Sequence, residues 1–309
     1  MSRRMLIFHT HQVVWACSAR WGRDGGNLPR SHFFPDRWLS LRNLENRTIS
    51  DWRRVIKQYS SRSLTDPADK LPALSSIAEY FSTGVNGRYL AGLWSSDLLL
   101  CLCWHHDTRI KQPLSRPPFW RAPSWSFMAV DGPVDILASK AGDGRTIDKD
   151  NILNCSILAC EVKPSSNKAP FGQIVSGHLK LSGRLLACSA VEFCTHTLLA
   201  LCHGMNSTSN DLEQSLFARM AFDTVEATDG RRCTSIIQTT YDPLEWSQAK
   251  LFALLLCMAK DVVGQPLIPW GLVLAKLSGG DHHRVGWFEV LPGKLHLFEE
   301  CEPRIFTIV

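Results

Sequence analysis

The apolar positions along this 309-residue chain change their period once, shortly after residue 110. Trp52, Val55, Ile56 and Tyr59 recur three and four residues apart, the stripe of an amphipathic helix that Ser50 is placed to cap. Leu71, Leu74, Ile77, Ala78 and Phe81 make a second stripe and predict a helix over 70–81. Asp69 stands at its positive end, and Pro72 falls in the first turn, where a missing N–H costs little. A leucine-rich run predicts a third helix from about 96 to 105. From Ser124 the period drops to two. Strands are predicted over 124–130, 134–138, 152–162, 172–181, 183–191, 216–225, 270–277, 284–291 and 304–309. Asp131-Gly132 predicts a hairpin turn, and 180–184 a tight connection between two strands. The apolar run 251–259 suits a buried helix or strand, and a helix over 251–260 lying across the sheet is the expectation. Residues 1–18 predict one or two short strands, 19–48 an irregular connection, and 165–168 and 206–210 flexible loops.

The fold class expected from this pattern is α+β: a small helical unit over 49–110, followed by a mainly antiparallel β-rich domain over 111–309. At 45% apolar and 20% charged residues, the composition is that of a folded globular chain. The longest apolar run, 251–259, falls short of the ~18 residues needed to cross a bilayer, so no membrane span is expected. Arg3 and Arg4 precede the apolar 5–8, but His9, His11 and Gln12 interrupt it, which argues against a secretory leader. The first 70 residues hold 13 of the 34 Lys+Arg and 6 of the 29 Asp+Glu. These charges are scattered, with Arg53-Arg54 the tight pair beyond the start, so a solvated face is expected instead of a nucleic-acid surface.

Eleven cysteines, mostly inside apolar runs, read as small buried hydrophobes in a reduced, cytoplasmic protein. Two groups have the composition of a metal site: Cys101, Cys103, His105 and His106, and Cys188, Cys194 and His196. No Cys-x-x-Cys occurs, and Cys101 and Cys103 face different sides of a helix, so no metal is expected. No nucleophile elbow, phosphate loop or zinc-protease motif is present. The glycines of 22–26 have the wrong spacing for a phosphate cradle. Asp281-His282-His283 is the best acid–base cluster, and is expected to be an exposed turn. Cys202-His203 places a thiol beside an imidazole, but strand neighbours point to opposite faces. No catalytic residue and no cofactor are expected.

Five segments in order carry a resemblance. Trp52-Val55-Tyr59 with Arg62-Leu64-Thr65 comes first, and Asp69-Lys70-Leu71-Pro72-Ala73-Leu74-Ser75 second. Tyr89-Leu90-Ala91-Gly92-Leu93-Trp94 and a leucine run follow. The most distinctive is Arg121-Ala122-Pro123-Ser124-Trp125-Ser126, with Phe127 where a second Trp is usual, leading to Asp131-Gly132. Gly271-Leu272-Val273-Leu274 and Arg284-Val285-Gly286 close the series. This order resembles the region that follows the heterokaryon-incompatibility (HET) domain in fungal proteins. Arg4–Phe8 and Trp15-Ala16-Cys17 are similar to the last strands of that domain, which makes residues 1–48 its remnant and the chain a truncated member. The resemblance implies a non-enzymatic regulatory or protein-interaction role in non-self recognition and regulated cell death, with a HET-domain chain as partner. An accessory protein binding a small molecule, in a cavity lined by Trp120, Trp125, Trp270 and Trp287, is the alternative.

Overall fold

The computed structural model describes residues 4–9, 12–17, 21–23, 47–107, 110, 112–136, 145–146, 155–193, 196–201, 215–224, 250–261 and 268–309. Strands β1 (Arg4–His9), β2 (Gln12–Cys17) and β3 (Trp21–Arg23) form a three-stranded antiparallel sheet of their own. The third strand falls inside the stretch expected to be irregular.

Helix α1 (Ile49–Ser60) begins one residue before Ser50 because Thr48 and Asp51 form a reciprocal capping box. The Thr48 hydroxyl accepts from the Asp51 N–H at 3.2 Å, and the Asp51 carboxylate accepts from the Thr48 N–H at 3.2 Å. Helix α2 (Lys70–Phe81) has the bounds its stripe predicts. Strands β4 (Tyr89–Leu90) and β5 (Leu93–Trp94) make a two-residue hairpin, and α3 (Leu98–Cys101) is only one turn long. The expected third helix stops there. Trp104–His106 leaves it as β6 to pair with β7 (Val134–Ile136), a tertiary pairing that overrides leucine's helical preference. Hydrogen bonding therefore runs between residues before 110 and residues after 111.

Residues 124–130 are not a strand. They wind into a 3₁₀ turn at Phe127–Ala129, capped by the Ser126 hydroxyl, and all seven are buried. Their alternation is one of size and not of exposure, because Ser124 and Ser126 are buried too and spend their hydroxyls on main chain.

After β8 (Arg145–Thr146), strand β9 (Ser156–Pro164) forms a hairpin with β10 (Ile174–Phe193). The loop at 165–168 joins them, as expected, while 206–210 lies outside the described residues. Strand β10 runs unbroken for 20 residues, where two strands and a turn were expected. Gly183 sits mid-strand because a Cβ there would lie 2.8 Å from the Leu254 side chain. The outer half of β10 then pairs with β11 (His196–Leu201), which pairs with β12 (Leu216–Phe222). Strand β12 pairs with β15 (His282–Val290), β15 with β14 (Ile268–Lys276), β14 with β13 (Leu251–Asp261), and β13 returns to β10. The ring is closed: six antiparallel strands form a barrel. Helix α4 (His296–Glu299) and strand β16 (Pro303–Ile308) follow, β16 pairing with Leu179–Arg184 of β10 on the edge opposite β9.

Strand β13 corrects the expected helix over 251–260. Its Ala253 and Leu255 face a barrel interior filled by Cys188, Leu199, Met220, Val273 and Phe288, with Phe298 of α4 packed among them. Its Leu254 and Leu256 face outward into a second core with Trp52, Leu71, Phe81, Trp94 and Trp125. A strand buried on both faces shows no alternation, so its run resembles a core helix. Helices α1 to α3, the β4–β5 hairpin and residues 112–136 thus form a layer over one side of a barrel packed with side chains. No helix among the described residues is long and apolar enough to cross a membrane.

Candidate functional site

The residues that carry the resemblance come from five separate segments, and the fold distributes them over three clusters, in the helical layer and at its junction with the barrel. The first gathering point is the tip of the β4–β5 hairpin. Ala91 and Gly92 both take positive φ, +50° and +94°, the signature of a type I′ turn. Gly92 has no room for a side chain, since a Cβ would meet Phe127 at 2.8 Å and Met128 at 2.9 Å. The tip's two carbonyls are used. Gly92 O accepts from Trp52 Nε1 at 2.9 Å, and Ala91 O accepts from Ser126 Oγ at 2.5 Å. Trp94, Tyr89 and Phe81 close around Trp52 in edge-to-face contacts at 5.2–6.0 Å.

A second cluster joins Lys70, Arg121 and Asp131. Arg121 donates to the carbonyls of Pro67 (2.9 Å), Met128 (2.8 Å) and Val130 (3.1 Å), and to the Asp131 carboxylate at 2.8 Å. Lys70 donates to Val130 O and lies 3.4 Å from the same carboxylate. Burial, and then the neighbouring Arg121 charge, push the Lys70 ammonium down to about 8, against the opposing pull of Asp131. Gly132 takes φ +112° beside Leu114, whose side chain would lie 2.9 Å from an added Cβ, so the Asp-Gly pair turns the chain as expected. It does not join two hairpin strands, because 124–130 is not one. Asp69 precedes α2 without a side-chain cap bond and closes the 3₁₀ turn 67–69, its N–H donating to Asp66 O at 3.1 Å. Leu71 and Leu74 enter the core, while Pro72 occupies the first turn and Ala73 the side of α2 away from it.

The third cluster centres on Arg284, whose side chain is 0% exposed. Its guanidinium grips Asp223 with two bonds, Nε to Oδ2 at 2.8 Å and Nη2 to Oδ1 at 3.0 Å. It also donates to Leu102 O (2.7 Å) and Trp104 O (2.5 Å), and its carbon lies 3.5 Å over the Trp104 ring. A barrel arginine therefore holds the turn between α3 and β6. Ser124 completes the join. Its hydroxyl accepts from the Arg284 N–H at 2.9 Å and donates to Val309 O at 2.5 Å. Trp125 beside it is fully buried, and its carbonyl accepts from Trp104 Nε1 at 2.9 Å. Ala122 is buried, and Pro123 packs on Gly177 of β10, where no Cβ would fit. Gly271 and Gly286 are close-approach glycines. An added Cβ would lie 2.6 Å from the Phe288 ring at Gly271 and 2.5 Å from Ala221 O at Gly286.

The remaining candidates separate. Asp281-His282-His283 is not an exposed turn, because β15 begins at His282. His282 is wedged between the Phe252 and Phe306 rings at 5.5 and 5.4 Å, and burial lowers its affinity for a proton. Desolvation, with the Arg116 charge second, holds His283 well below the ordinary imidazole range. Of the two Cys/His groups, Cys101 hydrogen-bonds Asp97 at 3.2 Å, while Cys103 turns to Cys257 and His105 to the rings of Trp270 and Trp287. Cys188 enters the barrel core; Cys194, the His196 side chain and Cys202-His203 lie outside what is described. Among the described residues no three His, Cys, Asp or Glu are placed to hold a metal ion. Of the four tryptophans, Trp270 and Trp287 stack on each other at 5.6 Å, whereas Trp125 belongs with Trp104.

Sequence reasoning did not find Asp223 or Asp97. Asp97 is buried and paired with Arg53 of α1 at 2.5 Å, and Asp223 follows the apolar strand β12 directly. The available signal was a carboxylate set against the end of an apolar run, where an unpaired charge is costly and a partner is required. Around Arg121 and Arg284 the charged groups are spent on main-chain carbonyls or on carboxylates, which is the chemistry of a clamp, while the buried Trp94 and Trp125 Nε1 atoms meet no acceptor among the described residues. Compared with family models, with curated proteins and with solved structures, the chain finds no match.

Proposed function

We propose that this chain is a non-enzymatic regulatory or protein-interaction protein of the heterokaryon-incompatibility type, acting in the cytoplasm in non-self recognition and regulated cell death with a HET-domain chain as its partner. One observation supports it most. Lys70, Arg121 and Asp131 fasten the layer, Gly271 and Gly286 let barrel strands approach closely, and Ser124 and Arg284 join the two, with Trp94 and Trp125 in the shared core; motif residues up to about two hundred positions apart thus serve one scaffold. A shared architectural role is what ties such a scattered motif set to a scaffold, and a scaffold built this way offers surfaces instead of a reaction centre.

The test is expression in a filamentous fungus. The chain alone is expected to leave viability unchanged, while co-expression with a HET-domain chain is expected to change the death response and to give a complex that co-elutes. Vigorous death from the isolated chain would locate an effector within residues 1–309. Failure of every HET-domain chain to bind would remove the partner assignment.

A further inference from the structure

Cys103 and Cys257 are 154 positions apart, yet their sulfurs lie 3.7 Å from each other. Cys103 belongs to the helical layer, in the short turn between α3 and β6. Cys257 belongs to the barrel wall, on β13. Both are free thiols and both are buried. We propose that this pair is a redox-closable staple: a disulfide modification site that locks the helical layer onto the barrel when a small peroxide oxidises it. The inference does not depend on the function proposed above.

Three features of the site favour closure. First, the gap is small, since a disulfide needs its sulfurs at about 2.05 Å and the pair is already in contact. Second, neither backbone is held in unbroken regular structure. Cys103 lies in a turn, and Cys257 follows directly on the register shift between Leu255 and Cys257 that interrupts the β13–β14 ladder. Third, the turn is held in place on both sides of Cys103, because Arg284 takes the carbonyls of Leu102 and Trp104. Those bonds keep Cys103 facing β13. The neighbouring Cys101 points elsewhere, to the Asp97 carboxylate at 3.2 Å, and acts as an internal control.

The chemistry balances with hydrogen peroxide as oxidant. One thiolate attacks a peroxide oxygen, the S–O bond forms, the O–O bond breaks and hydroxide leaves to take a proton. The second sulfur then attacks the sulfenic sulfur, the S–S bond forms, the S–O bond breaks and water leaves. Two thiols lose two electrons and two protons, and the peroxide becomes two waters. Burial keeps the Cys103 thiol protonated far above the ordinary range, so the reaction is slow in the closed protein and follows opening of the layer.

The test uses the full chain treated with hydrogen peroxide, alkylated, and digested with trypsin without reduction. Peptides 89–109 and 251–260 are expected to be linked, with fragment ions placing the bond on Cys103 and not Cys101. Dithiothreitol should release the link. The oxidised protein should melt about 5–10 °C higher than the reduced one, because the crosslink closes a long loop in the unfolded chain. Cys101→Ser should keep the link and Cys103→Ser should abolish it. The peptide map of the unsubstituted protein decides the matter even if a variant folds poorly. A bond on Cys101, scattered pairing among other cysteines, no bond at all, or an oxidised form that melts no higher would each overturn the proposal.

Discussion

Arg121 and Arg284 are both buried, both donate to main-chain carbonyls and both meet an aspartate, but the aspartates differ. Asp223, the partner of Arg284, is 1% exposed, whereas Asp131, the partner of Arg121, is 36% exposed. Removing Arg284 strands a carboxylate that water cannot reach. Removing Arg121 leaves one that water can solvate and that Lys70 still accompanies. The energetic weight of a buried arginine therefore depends on where its partner sits as much as on its own burial. The two sites also do different work. Arg121 ties the start of α2 to the 128–131 segment within the layer, while Arg284 ties the layer to the barrel.

The largest expected effect is at Arg284. Arg284→Met should destabilise the protein by about 3–5 kcal/mol in denaturant unfolding, and Arg284→Met combined with Asp223→Leu should recover part of that loss. A single variant no weaker than Arg121→Met would break the comparison. Trp125→Ala comes next in rank, at about 3–5 kcal/mol by cavity formation, with no charge effect and no rescue from the Asp223 change. A smaller loss, about 1–3 kcal/mol, is expected for Arg121→Met, since its carbonyl bonds go but its aspartate remains solvated.

A further test sharpens the Arg121 side and appears as a pH dependence. Lys70 titrates at about 8 when folded and near its ordinary 10.5 when unfolded, so between these values the unfolded chain holds more protons than the folded one. Its destabilising contribution is then fully present below pH 8 and disappears as the pH rises toward 10.5. Relative to Lys70→Met, the unsubstituted protein should gain stability over that window. A flat difference, or one of opposite sign, would mean that Lys70 is not desolvated.

The layer was easier to read than the barrel. Helices α1 and α2 each bury one stripe against the core and expose the other, so Trp52, Val55 and Leu71, Leu74 declared their period. Strands β13 and β14 are buried on both faces, and nothing in 251–257 distinguishes inward Ala253 from outward Leu254. Barrel closure joins β12 to β15 and β13 to β10, pairings between distant segments that no local pattern encodes. Of the site, Arg121, Trp125 and Arg284 were visible as motif members. Their partners were not, because Asp223 is 61 residues from Arg284 and a main-chain carbonyl leaves no mark in the sequence.

If Arg284, Ser124 and the shared apolar core join layer and barrel into one body, the two should open together. Native-state hydrogen exchange measures this directly. The amides of α1 and α2 and those of β13 and β14 are expected to share the same highest opening free energy in the unsubstituted protein. Helices that exchange through a markedly lower opening, while β13 and β14 keep their protection, would show two independent units and contradict the join.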